Sequence, residues 1–130
     1  MNHNVEIKKT ITLTSTDISD LLSAAFGGNF WALVDWHTTE YAMAEQRLKD
    51  KGEEPCLEDV LVNILENNGS IIICDDEDGE KYEIVLDKLL WAIGQIIQNG
   101  YWDGEDIGDV DGIIGDAILQ YACFDDVIYG

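Results

Sequence analysis

The chain has 130 residues, a length that suits one domain, and 46% of them are apolar, which is enough for a hydrophobic core. Its charge is unusual, because 27 Asp and Glu residues against 7 Lys and Arg residues give a formal net charge of −20 at pH 7. Affinity for nucleic acids and for anionic membranes depends on Lys and Arg, so this balance disfavours both kinds of surface. We expect a soluble, acidic, cytoplasmic protein with a single domain over residues 1–130.

The first part of the chain alternates between strand-like and helix-like patterns. Residues 5–13 alternate apolar and polar side chains, which predicts a half-buried strand. Residues 14–17 offer N-cap side chains, and apolar residues then recur every three or four positions, so residues 18–26 are predicted to be helical. The aromatic segment 30–36 predicts a second strand or an extended segment. The mixed charges of residues 38–54 are typical of a solvated helix or loop.

The middle of the chain predicts a helix followed by a hairpin. Pro55 precedes a helical apolar pattern over residues 57–65, a position that a helix tolerates. The β-branched run 71–73 and the alternating segment 82–86 predict two paired strands. An acidic loop, residues 75–79, separates them.

The last third predicts two more helices and a short strand. Asp87 is a candidate N-cap for a helix whose apolar face lies within residues 89–97. An acidic, glycine-rich link over residues 101–111 then leads to a helix over residues 113–121, and residues 127–129 could add a terminal strand. Together the elements predict an α+β fold with a small antiparallel sheet and about four helices over one face. The alternative is a mostly helical fold with one β-hairpin.

The sequence offers little catalytic chemistry. It lacks the Gly-x-Ser-x-Gly motif, and neither His3 nor His37 has a neighbouring nucleophile with which to form a recognisable pair. Cys56, Cys74 and Cys123 are far apart and outside any Cys-x-x-Cys pattern, which predicts buried, reduced thiols. We therefore expect a protein that is not an enzyme, with no catalytic residues and no cofactor.

Calcium binding requires oxygen ligands at fixed spacing, and the two acidic loops do not provide it. Alignment of Gly79 with the invariant glycine of an EF-hand places Cys74 at the first ligand position, and alignment of Gly112 places Ile107 there. Both alignments also lack the Glu ligand at the last position of an EF-hand loop. No metal site is predicted, beyond an incidental weak divalent site.

The acidic hairpin and the acidic link over residues 101–111 form the predicted partner-binding site. Residues 89–130 contain eight acidic residues and no Lys or Arg. Carboxylates beside aromatic rings suit the side chains of Lys and especially Arg, through charge-assisted hydrogen bonds and cation–π contacts. The predicted partner-binding residues are Asp75, Asp76, Glu77, Asp78, Glu80, Trp102, Asp103, Glu105, Asp106 and Asp109.

Two features of this site have a second interpretation. Trp102 is expected either to pack between the two helices that flank it or to present its ring to an arginine of the partner. The acidic surface could also serve only for solubility, with the aromatic residues turned into the core. However, a net charge of magnitude about 2–8 is sufficient for the solubility of a small domain.

Three segments carry a resemblance to a known group of proteins: ITLTSTDISDLL at residues 11–22, YEIVLDKLLWAI at residues 82–93, and the C-terminal segment 111–130. In these segments the chain resembles the small acidic proteins of prophages and conjugative elements of Gram-positive bacteria, which are largely of unknown function. The resemblance implies a mobile-element setting in a bacterial host cell. Small acidic proteins recur in that setting as antirestriction and anti-CRISPR inhibitors, so the resemblance implies such a role by analogy.

The leading hypothesis is a non-enzymatic inhibitor that binds the basic, nucleic-acid-binding surface of a host defence protein, partly as a DNA mimic. It would bind neither nucleic acid nor membrane directly. One alternative is a small-ligand binding protein that sequesters a signalling molecule, with Trp31, Trp36 and Trp102 as stacking walls. For a nucleotide-like ligand, basic residues would have to converge, and the candidates are Lys8, Lys9, Arg47, Lys49 and Lys51. A structural homo-oligomer of the element, such as a homodimer, is a third possibility.

Overall fold

The computed structural model describes residue 3 and residues 10–130, and in this part of the chain it has five α-helices and one three-stranded sheet. The helices are α1 (Ser15–Gly28), α2 (Thr39–Asp50), α3 (Leu57–Glu66), α4 (Leu86–Gln98) and α5 (Gly112–Phe124). The strands are β1 (Ala32–Val34), β2 (Ile71–Asp75) and β3 (Lys81–Ile84), and a 3₁₀-helix covers Ile107–Asp109. The predicted α+β class with a small antiparallel sheet is confirmed.

The sheet has the order β1-β2-β3, and both pairs of strands are antiparallel. Ile71 and Ile73 of β2 and Ile84 of β3 are buried, whereas Leu33, which pairs with Cys74, is exposed. One face of the sheet therefore contacts the helices, and the other face is open. Residues 38–54, whose pattern predicts either a helix or a loop, contain helix α2, which is one helix more than the four expected.

Helices α1 and α5 pack closely because glycines face each other at their crossing. A Cβ atom at Gly115 would lie 2.5 Å from the backbone nitrogen of Ala25, and a Cβ atom at Gly28 would lie 2.9 Å from the Cα atom of Gly112. Glycine is needed at both places because there is no room for a side chain. The contact joins the N-terminal helix to the C-terminal helix across one hydrophobic core.

Several local predictions are wrong or lie outside the described residues. Residues 5–9 of the predicted first strand lie outside them, and residues 10–13 form no strand. Val85, and not Asp87, is the N-cap of α4, because the helix already begins at Leu86. Residues 127–129 form no strand either, since the side chain of Gln120 binds the backbone of this segment in place of a strand ladder.

The cysteines are free thiols, but they are not all buried. Cys56 is exposed, so the prediction of burial is wrong for it, because it precedes α3 at a helix end on the surface. Cys74 and Cys123 are half-buried. None of the described helices has the length and apolar character needed to cross a membrane.

Candidate protein-binding site

The acidic hairpin between β2 and β3 divides its carboxylates between the core and the surface. Asp75 is fully buried at the end of β2. Its Oδ2 atom accepts a hydrogen bond from the hydroxyl of Tyr129 at 2.7 Å, and its Oδ1 atom accepts one from the backbone N–H of Glu77 at 2.9 Å. The interpretation of Asp75 as a partner-binding residue is therefore wrong, because its carboxylate faces the core and stabilises the turn.

The other predicted hairpin carboxylates are exposed, and the turn orders the segment that carries them: Asp76, Glu77, Asp78 and Glu80. Gly79 has a φ of +78°, which favours glycine, and its N–H donates to the carbonyl of Asp75 at 2.7 Å. The Oδ1 atom of Asp78 accepts a hydrogen bond from the N–H of Glu80 at 2.8 Å. The hairpin thus presents a cluster of carboxylates on an ordered backbone.

The link after α4 buries its tryptophan and exposes its acids. Trp102 is only 5% exposed, and its Nε1 donates to the backbone carbonyl of Asp106 at 3.0 Å. Its predicted packing role is confirmed, and its assignment as a partner contact is wrong. The predicted acids of the link are all exposed: Asp103, Glu105, Asp106 and Asp109. Asp106 also caps the 3₁₀-helix by accepting from the N–H of Gly108.

A groove of about 430 Å³, here called the aromatic groove, lies between the beginning of the link and the C-terminal segment. Its lining includes three exposed apolar side chains, Phe30 at 62%, Tyr101 at 42% and Ile113 at 75% exposure. Tyr129 and the half-buried Asp116 also line it. The groove therefore combines apolar walls with one side-chain carboxylate, that of Asp116.

A hydrogen-bond network holds the groove in shape. Asp116 accepts from Trp31 Nε1 through Oδ1 and from Gln120 Nε2 through Oδ2, both at 2.7 Å. The Oε1 atom of the buried Gln120 accepts the N–H of Tyr129 at 2.8 Å. Because the Tyr129 hydroxyl binds Asp75, the groove and the base of the acidic hairpin belong to one connected structure.

Aromatic packing and electrostatics keep Tyr129 in place. Its ring centroid lies 5.8 Å from that of Phe30 and 5.7 Å from that of Trp31. The hydrogen bond to Asp75, together with burial, raises the pKa of Tyr129 above its usual value, so the hydroxyl keeps the proton that it donates. Burial and the nearby Asp75 carboxylate raise the pKa of Cys123 to about 12, which is the opposite of what an activated nucleophile requires.

The ion pairs of Lys81 and Lys88 do not involve the carboxylates of the hairpin or the groove. Lys81 pairs with Asp35 at 3.3 Å, and Lys88 pairs with Asp125 and lies 4.0 Å from the centroid of the Trp91 ring. No described Lys or Arg forms an ion pair with the groove carboxylate Asp116. The Asp116 carboxylate therefore has no ion-pair partner among the described residues.

Two further surface regions are weaker candidates for a binding site than the aromatic groove. A larger groove of about 560 Å³, beside α1 and α3, is lined by carboxylates, and its Ser15 hydroxyl already donates to Glu66 at 2.8 Å. The exposed ring of His37 stacks on Trp36, with centroids 3.8 Å apart. Among the described residues, no three Cys, His, Asp or Glu side chains come together as a metal site would require.

Sequence reasoning missed the aromatic groove. Ile113 is the first residue of the helix predicted over residues 113–121, yet its side chain is exposed on the rim of the groove. Asp116 interrupts the apolar pattern of α5, and that interruption was the one available signal. Comparison of the chain with protein-family models, curated proteins and solved structures gives no match, so the function has to be argued from this geometry.

Proposed function

We propose that this protein is a non-enzymatic inhibitor of a host defence protein, which it binds on a basic, nucleic-acid-binding surface. The observation that carries the proposal is the ordered hairpin of exposed carboxylates, which one hydrogen-bond network joins to a groove with exposed aromatic walls. Carboxylates of this kind bind Lys and Arg side chains that otherwise contact phosphates. The protein thus acts partly as a mimic of DNA.

The net charge supports the same function. A charge of −20 on 130 residues exceeds what solubility needs, and mutual repulsion of the carboxylates destabilises the folded state. A basic partner relieves this repulsion in the complex. Charge complementarity also accelerates the encounter and selects against partners of the same sign.

The mobile-element setting comes from the resemblance in residues 11–22, 82–93 and 111–130. An element that enters a bacterial cell meets defence proteins that bind nucleic acid, and an acidic protein can occupy that binding surface. The setting and the charge point to the same class of partner.

The alternative of a small-ligand binding protein has less support. Trp31 and Trp102, two of its three expected stacking walls, belong to the core. Arg47, one of the basic residues expected to converge, donates instead to the side chain of Asn63 at 2.9 Å. Neither feature favours a pocket for an anionic ligand.

Salt-graded capture tests the proposal. The immobilised protein is exposed to a bacterial lysate at low salt, eluted with rising sodium chloride, and the retained proteins are identified by mass spectrometry. We expect a nucleic-acid-binding protein that elutes early in the gradient and that DNA or RNA displaces in a purified system. Retention that does not depend on salt, or simultaneous binding of nucleic acid and this protein to the partner, would contradict the proposal.

A further inference from the structure

We propose that the aromatic groove receives an arginine side chain of the protein partner, with the guanidinium bound to Asp116 and packed against the rings of Phe30 and Tyr101. This inference rests on the proposed function, because it names the chemical group that the partner inserts. The groove is also separate from the sequence-predicted acidic residues, since none of them lines it.

The carboxylate of Asp116 has unused capacity for hydrogen bonds. Each of its oxygens accepts one bond from a neutral donor, Trp31 Nε1 or Gln120 Nε2. A carboxylate oxygen has two acceptor positions, so two positions remain. A guanidinium donates two parallel N–H bonds in a planar fork, which matches a carboxylate with one free position on each oxygen.

The walls of the groove suit the flat face of a guanidinium. Phe30 and Tyr101 are exposed rings, and a cation against an aromatic face gains cation–π attraction. Arginine makes this contact better than lysine because its planar group also stacks. The Phe30 side of the groove is held before binding, because Phe30 packs on Tyr129, which is fixed through its hydroxyl and its backbone N–H. Binding therefore has to immobilise few side chains on this side of the groove, so the entropic cost of ordering them lowers the affinity little.

A second copy of this chain fits the groove less well. Two copies would bring together two bodies that each carry a net charge of −20. The described arginine, Arg47, already binds Asn63. An arginine from a basic partner meets neither obstacle.

Nuclear magnetic resonance titration with small blocked peptides tests the proposal without the partner. The probe is the tripeptide glycine-arginine-glycine, and the control peptide replaces arginine with citrulline, which has nearly the same shape without the charge. We expect the arginine peptide to shift the signals of Tyr101, Ile113 and Asp116, and the citrulline peptide to bind much more weakly. Phe30→Ala and Tyr101→Ala should each weaken arginine binding about two- to five-fold.

Trp36→Ala is the matched control, because Trp36 is an exposed aromatic residue outside the groove. It should leave arginine binding unchanged, and thermal melts should show that all three variants remain folded. Equal binding of the citrulline peptide, shifts confined to the hairpin, or a dimer in sedimentation that Phe30→Ala abolishes would overturn the inference. If Phe30→Ala and Tyr101→Ala retain the partner up to the same salt concentration as the unaltered protein, the arginine groove fails while the proposed function stands.

Discussion

Neighbouring acidic residues in this protein have different physical roles. Asp75 is fully buried and accepts two hydrogen bonds, whereas the adjacent Asp76 is exposed. A buried carboxylate is tolerated only when hydrogen bonds replace the water that it has lost. In the composition each of the two residues counts as one negative charge, but in the structure Asp75 is a buried, hydrogen-bonded residue and Asp76 is exposed to solvent.

Tyr129→Phe should destabilise the fold, because it removes the hydroxyl that donates to the buried Asp75. Loss of one partner from a buried polar group costs about 1–3 kcal/mol in the free energy of unfolding, and more where the group is charged. Urea denaturation measures the change. Tyr101→Phe is the control, since Tyr101 is exposed, and it should change stability little. Equal stability of the two variants would show that Asp75 does not depend on this bond.

Trp102→Ala should lower stability strongly, because the ring is buried and its Nε1 is hydrogen-bonded. Truncation of a buried aromatic residue costs about 3–5 kcal/mol. Trp36→Ala removes a ring that is 55% exposed, so thermal melts should separate the two variants clearly. A small effect of Trp102→Ala together with weaker partner binding would restore the contact role.

Alkaline pH should destabilise the protein in part through Cys123. Burial raises the pKa of its thiol from 9.0 to about 12, so above pH 9.0 the unfolded chain loses a proton that the folded chain keeps. This contribution to stability is complete below pH 9.0 and is lost as the pH rises towards 12, by up to about 1.4 kcal/mol per pH unit.

Denaturant titrations between pH 8 and 11 measure the effect. Cys123→Ala should reduce the slope of stability against pH in this range, whatever its effect at neutral pH. The control is Cys74→Ala, a second half-buried cysteine. A slope that stays the same in Cys123→Ala would contradict the assignment.

At the scale of elements, the periodicity of apolar residues predicts the helices and strands that bury one face against the core. Helices α1, α3, α4 and α5 and the β2–β3 hairpin follow apolar patterns that the structure confirms. The pattern could not decide α2, because its buried side chains are few and its charges are mixed. It also could not show that Gln120 binds the C-terminal segment, since a long-range side-chain contact leaves no local signal. The groove was missed for the same reason.

The glycine contact between α1 and α5 leads to a prediction with a matched control. Gly115→Ala should destabilise the protein by about 1–3 kcal/mol, because its Cβ would meet the backbone of Ala25 and Ala24 and neither can move aside freely. Gly94→Ala in α4 should instead stabilise by up to about 1 kcal/mol, since its Cβ has open space and alanine favours a helix. Denaturation curves should show opposite signs, and the same sign for both would contradict the close helix contact.

For the whole molecule, net charge links stability to binding. Like charges repel in the folded state, so added salt should stabilise the protein while it weakens association with a basic partner. If the carboxylates bind a partner, salt raises the stability and lowers the affinity. If the acidic surface serves only for solubility, salt changes the stability alone. Neutralisation of exposed carboxylates one region at a time can then locate the surface that the partner uses.

The triple variant Asp76→Asn, Glu77→Gln and Glu80→Gln removes three exposed hairpin charges and spares Asp75, which is buried. It should slow association with the basic partner at low salt, because charges at the rim of an interface act mainly on the encounter rate. Its stability should rise slightly, since repulsion within one turn is relieved. The control variant Asp20→Asn, Glu53→Gln and Glu54→Gln removes the same charge from the groove beside α1. Stopped-flow association should slow more in the hairpin variant than in the control, and equal rates would show that total charge, rather than the hairpin, steers the partner.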